Sequence, residues 1–88
     1  MKVDFRKSFL RDLKHVKDTA IRNRVREAIQ SVEQAQSLQE ISGLKKLKYG
    51  DRYHRVRIGE YRVGLALKHD ILVFVRFPNR KDLYRYFP

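Results

Sequence analysis

The C-terminal half of this 88-residue chain gathers basic and aromatic side chains at close intervals: Arg55, Arg57 and Arg62, then Arg76, Arg80, Lys81 and Arg85, interleaved with Tyr53, Phe74 and Tyr84. Guanidinium and ammonium groups bind phosphate oxygens, and aromatic rings stack on unpaired bases, so the mixture suits single-stranded RNA. Residues 44 to 88 carry twelve Lys+Arg against four Asp+Glu, and residues 1 to 43 carry nine against six. The halves stand at +8 and +3, which together give the formal +11 of the chain. A small particle with that charge attracts polyanions through a field of several kT. On charge alone, a set of merely solubilising surface arginines is an equal alternative.

Other chemistries find little support. Cysteine is absent, so thiolate metal sites, disulfides and cysteine nucleophiles are excluded. There is no glycine-rich phosphate loop and no G-x-S-x-G elbow. His15, His54 and His69 lie far apart, and Asp51, Glu60 and Asp70 fall in or near turns, so neither a metal-ligand set nor a pair of acids is assembled. No metal and no cofactor are expected. The longest apolar runs, such as Ile71 to Val75, are far short of the roughly 20 residues of a membrane span. Met1-Lys2-Val3-Asp4 lacks the apolar run of a signal peptide, so the expectation is a protein of the cytoplasm with no membrane partner.

The elements that would carry these residues can be read from periodicity. Lys2 to Phe5 reads as a short strand, and Phe9, Leu10, Leu13 and Val16 as a helical stripe. Asp18 or Thr19 caps a second helix carrying Ile21, Val25, Ala28, Ile29, Val32 and Ala35. Gln36 to Gly43 reads as a connector. After Lys45 the residues suit strands: Tyr53 to Ile58, Tyr61 to Lys68 and Ile71 to Phe77, separated by Gly59-Glu60 and His69-Asp70. Gaps of two residues favour an antiparallel meander. Pro78-Asn79 breaks the ladder, and Leu83 to Tyr86 reads as a last edge strand. Eighty-eight residues make one domain, which buries roughly 60% of the surface its unfolded chain exposes. The expected class is α+β, with a short N-terminal strand and a two-helix hairpin packed on a C-terminal antiparallel sheet.

Alternation then sorts the side chains. Val56 and Ile58 share a face with His54, and Tyr53, Arg55 and Arg57 take the other. Tyr61, Val63, Leu65 and Leu67 form an apolar row opposite Arg62, Gly64, Ala66 and Lys68. In the third run, Ile71, Val73, Val75 and Phe77 are assigned to the core, leaving Leu72, Phe74 and Arg76 on the arginine face. The small Gly64 and Ala66 would hollow that second face enough to receive a ligand. Phe9, Leu13, Val25 and Ile29 read as core, with any apolar surplus on the helices available to a partner segment.

The run Tyr53-His54-Arg55-Val56-Arg57-Ile58-Gly59-Glu60-Tyr61-Arg62, preceded by Leu44-Lys45-Lys46-Leu47-Lys48 and followed by Asn79-Arg80-Lys81-Asp82-Leu83-Tyr84-Arg85, resembles the RelE branch of the RelE/ParE toxin superfamily. The resemblance covers nearly the whole chain. It implies a compact α+β toxin, wrapped by a cognate antitoxin, that enters the ribosomal A site and cuts messenger RNA without a metal. ParE members instead poison DNA gyrase, and a nucleic-acid-binding module without catalysis is the further alternative.

Carried over by the resemblance, the site comprises Arg55, Arg57, Arg62, Arg80 and Tyr84, with Lys46, Lys48, Tyr53, Arg76, Lys81 and Arg85 as further RNA contacts. Cleavage by the ribose 2′-hydroxyl requires in-line positioning, stabilised phosphoryl oxygens and two managed protons. Arg55 and Arg62 would clamp the phosphate, Arg80 would stabilise the leaving 5′-oxygen, and Tyr84 would stack on a base or orient a ribose. Arg57 departs from the lysine of better-known members, which can act as general base. A guanidinium with a pKa above about 12 is a poor proton acceptor. Tyr84, Lys46 or Lys48 are the alternatives, as are ribosomal RNA and water. His54 is expected on the core side, and His15 and His69 are weaker candidates still.

Overall fold

A computed structural model describes residues 1–48 and 50–77. The elements are β1 (Lys2–Phe5), α1 (Lys7–Lys14), α2 (Thr19–Gln34), a 3-10 turn (Leu38–Glu40), β2 (Leu44–Lys46), β3 (Tyr53–Ile58), β4 (Tyr61–Lys68) and β5 (Ile71–Arg76). The expected break at Pro78-Asn79 and the expected strand Leu83 to Tyr86 lie outside the described residues, as do Arg80, Lys81, Tyr84 and Arg85.

The helical hairpin is fixed at its joint by two local devices. Asp18 caps α2, its carboxylate accepting from the amides of Ala20 and Ile21 at 2.9 and 3.3 Å, where an uncapped start would leave those donors to water. Arg22, one turn into α2, donates to the carbonyls of Leu13 and Val16 at 2.8 and 3.2 Å, satisfying acceptors at the end of α1. Phe9, Val16, Val25, Val32 and Ala35 are buried from the helical side. Leu10 is not: it lies about 100° around the helix from Phe9 and is half exposed.

The sheet has the order β1-β5-β4-β3-β2. Strands β3 to β5 form the expected antiparallel meander, and β2, which sequence reasoning did not assign, adds to β3 antiparallel. Residues Gly59 and His69 open the two hairpin turns with φ of 57° each, the left-handed value that puts glycine first in a primed turn. A Cβ at Gly59 would also meet Ile21 Cδ1 at 3.1 Å, so α2 presses on this turn. β1 joins the edge in parallel to β5, with Val3 opposite Leu72 and Phe5 opposite Phe74, so the sheet is mixed. Parallel neighbours need a long crossover, and the intervening chain supplies one.

One assignment from alternation is overturned. A two-residue turn makes its flanking residues partners, so Ile71 pairs with Lys68 and Leu72 with Leu67. Leu72 and Phe74 therefore face the core, and Ile71 and Val73 lie on the arginine face. Beyond Phe74 the register shifts: Leu65 pairs with Phe74 but Gly64 pairs with Arg76, so Val75 is an extra residue. This bulge returns Phe77 to the core. Phe9 packs against Phe5, Phe74 and Phe77 with ring centroids 5.9, 5.4 and 6.0 Å away. Tyr61 stacks on Phe77 at 5.0 Å.

Beyond Phe5, α1 takes over the edge of β5 that β1 leaves open. The Arg6 amide donates to the Phe74 carbonyl at 2.9 Å and the Ser8 hydroxyl to that of Val75. Asp12 accepts from the Phe77 amide at 2.8 Å and from Arg76 Nε and Nη2 at 2.7 and 3.1 Å. Backbone groups that an edge strand would leave unpaired are thereby satisfied. Among the described residues no helix is long and apolar enough to cross a membrane.

Candidate nucleic-acid interface

The face of the sheet turned away from the main core is organised in rows across the strands. Arg57 stands directly opposite Arg62, and the next row runs Lys45, Arg55, Gly64, Arg76. The row after that runs Tyr53, Ala66, Val73. Like charges directly opposite each other on a sheet repel, so the Arg57–Arg62 row concentrates positive charge on this face. Arg55 is half-buried, and its Nε is buried without a hydrogen-bond partner. An unmade bond of this kind costs about 1–3 kcal/mol, a deficit that a phosphate oxygen within reach would remove. Gly64, which has no side chain, is buried between Arg55 and Arg76.

Other candidates are placed differently. Arg76 belongs to the arginine face by register, but its guanidinium is held bidentately by Asp12, with the two side chains only 25% and 15% exposed. Its charge is thus largely committed within the protein. Lys46 pairs across the ladder with His54 rather than with the arginines. Its ammonium lies 2.8 Å from Asp51, and the hydrogen bond and charge of Lys46 hold that carboxyl below its ordinary range. Lys48 is exposed beyond the end of β2. His54 is buried on the core side, with Nδ1 3.3 Å from the Arg52 carbonyl, and His15 and His69 are exposed. Among the described residues, no group of three or more histidines, aspartates and glutamates is gathered to hold a metal ion.

At the Tyr53 end the arginine face dips into a hollow of about 220 Å³, lined by Ala66, Leu67, Val73 and Val75 and rimmed by Arg6, Arg52 and Lys68. Tyr53 and Val75 pack here against the buried Leu47 in a small second apolar cluster. The guanidinium of Arg52 lies 5.1 Å from the centre of the Tyr53 ring and donates to its hydroxyl at 3.1 Å. A separate groove of about 350 Å³ runs along the helical layer, between Leu13 of α1 and Val25, Arg26 and Ile29 of α2.

Sequence reasoning brought Tyr53, Arg55, Arg57 and Arg62 to one face, and it anticipated the hollow at Ala66. It missed Arg6, Arg52, Lys45 and Asp12. Lys45 becomes visible once β2 is paired with β3, because it then stands opposite Arg55. No linear signal places Arg6 there, since it reaches this face only through the pairing of β1 with β5.

No family model matches the chain. A curated protein does: Toxin RelE3 of Methanocaldococcus jannaschii is 40% identical over 89 residues, spanning all of both chains. Among solved structures, the RelB-RelE antitoxin-toxin complex from Methanococcus jannaschii contains a chain 37% identical to this one. The two superpose with a TM-score of 0.79 over 97% of this chain and 99% of the other. The archaeal RelE-RelB complex from Pyrococcus horikoshii gives a TM-score of 0.73 at 20% identity, over 93% and 97% of the two chains, a likeness of fold.

Proposed function

The chain belongs to the RelE toxin family, and from that premise we propose that it is the toxin of a toxin-antitoxin pair, an endoribonuclease that stops translation by cutting messenger RNA in the ribosomal A site. The observation that carries the proposal is the convergence of Arg55, Arg57 and Arg62 on one face of the sheet, with Arg57 and Arg62 in direct register and Arg55 holding an unused buried donor.

Cleavage here is attack of the ribose 2′-oxygen on the adjacent phosphorus, with departure of the 5′-oxygen. Charge accumulates on the non-bridging oxygens, and fixed guanidinium groups stabilise it without reorganising. Arg55 and Arg62 are the clamp, and Arg57 adds charge between them and the strand. Arg80 and Tyr84, outside the described residues, are proposed to serve the leaving oxygen and the neighbouring base or ribose. Arg57 is a poor general base, so proton removal falls to Tyr84, to Lys46 or Lys48, or to ribosomal RNA and water. The reaction needs no metal in this scheme. A cognate antitoxin is the proposed partner, in keeping with the RelB complexes of the relatives, and the cytoplasm, where ribosomes work, the proposed compartment.

The test is a reconstituted translation reaction with the purified chain, read by mapping messenger ends. Cuts phased to the A-site codon, persisting in a chelator after ribosomes are assembled, are expected. Intact messenger, or cuts abolished by chelation alone, would contradict the activity or its metal independence respectively.

A further inference from the structure

The arginine face changes character along its strands. Residues two apart on a strand stand about 7 Å apart on one face, so the Tyr53 row lies one step from Arg55 and two from the Arg57–Arg62 pair. At that end the surface is no longer a plane of charge but a concavity with an apolar floor and a cationic rim. Its volume of about 220 Å³ is below the roughly 300 Å³ at which pockets for drug-sized ligands begin, so it suits one ring system rather than a peptide segment.

We propose that this hollow is a nucleobase subsite: one unpaired base of the bound RNA strand rests on Ala66, Val73 and Val75 and stacks against Tyr53, while its phosphate meets Arg6 and Arg52. The assignment deepens the RNA-cleaving function and rests on it. Apolar floor and cationic rim match the two halves of a nucleotide, whereas an aliphatic side chain of a protein partner would satisfy the floor and leave the cationic rim of Arg6, Arg52 and Lys68 unneutralised. The tyrosine ring is held in advance by the Arg52 contact and the bond to its hydroxyl, which lowers the cost of ordering it around a base.

The test uses the purified full chain and an RNA hexamer with 2′-O-methyl riboses, which cannot attack. Affinity is read by fluorescence anisotropy over a range of salt, for the intact hexamer and for versions abasic at each position in turn. In the unaltered protein one abasic position is expected to weaken binding about tenfold, the scale of one base-aromatic stack. Ala66→Leu fills the hollow, and Tyr53→Leu removes its aromatic wall while staying apolar; melting curves verify that each variant is folded. Either folded variant is expected to bind the intact hexamer with that same loss, to be indifferent to the abasic position, and to keep the salt slope unchanged. Arg62→Ala, in contrast, is expected to make the slope shallower while keeping the abasic effect. If no abasic position matters in the unaltered protein, or if both leucine variants still discriminate, the subsite is wrong, and the Arg62→Ala slope then stands alone in support of the RNA surface. If the unaltered protein shows no salt-dependent RNA binding, the subsite and the broader function fall together.

Discussion

At the scale of single residues, the proposed chemistry turns on where each guanidinium group is placed. Arg62 sits in the cationic ladder and outside the main core, so Arg62→Ala is expected to relieve growth arrest on expression while leaving the melting temperature within a few degrees. Persistent arrest in that variant and in Arg80→Ala would remove the proposed site. Arg57 permits a sharper experiment, because it is exposed on its strand and its replacement need not disturb packing. A lysine there is tunable by the neighbouring Arg62 and Arg55 and can accept a proton where arginine cannot. Arg57→Lys is expected to raise the single-turnover cleavage rate about tenfold or more, within the usual contribution of a general base; an unchanged rate would mean that proton removal is already supplied elsewhere. Arg76 teaches the opposite lesson. In sequence it is one more arginine of the basic set, whereas in the fold Asp12 has taken it.

At the scale of elements, Asp12 does more than neutralise Arg76, since the same carboxylate accepts the Phe77 amide and so fixes where the chain leaves β5. Asp12→Ala leaves a partly buried guanidinium and an amide without their acceptor, and a loss of about 3 kcal/mol in denaturant unfolding is expected. Asp12→Asn retains an acceptor for the amide and is expected to lose less. Leu65, fully buried in the middle of β4, is the contrasting position: Leu65→Asp buries a charge with no partner and is expected to abolish the cooperative thermal transition. How far these elements were legible in the sequence varied with the range of the forces that make them. The hairpin turns at Gly59-Glu60 and His69-Asp70 and the cap at Asp18 are local, and each stands where the residues placed it. The face of β5 did not follow from its β-branched residues, because the turn at His69-Asp70 sets the register and the extra Val75 resets it. The parallel partner of β1 is a long-range choice that four residues cannot encode alone.

At the scale of the whole molecule, the proposed function has the formal charge of +11 set how often RNA is met, and the arrangement of the face set how it is then held. RNA association is expected to weaken steeply with salt, with a log–log slope of about −0.7 for each phosphate engaged. Clamping of one phosphate by Arg55, Arg57 and Arg62 together predicts about −0.7 of that slope, and each further phosphate held on the face adds as much; a slope indistinguishable from zero would mean that binding is not made through the phosphates. The helical layer and the arginine face lie on opposite sides of one sheet, so a partner seated in the α1–α2 groove could reach the arginines only by passing around an edge.

That edge carries a further consequence, for the order in which the molecule assembles. β1 is the first strand in the chain, yet its partners are residues 71 to 74, and contacts so distant along the chain form slowly because the intervening loop must first be closed. The meander β3 to β5 can zip through its two-residue turns without waiting. The arginines of β3 and β4 are therefore expected to share a face before β1 closes the flank of β5, an order that substitutions at Val3 and Val63 would test by their separate effects on the folding rate. On that order Arg6, carried at the end of β1, is the last of these cations to arrive, and the docking of β1 completes the surface.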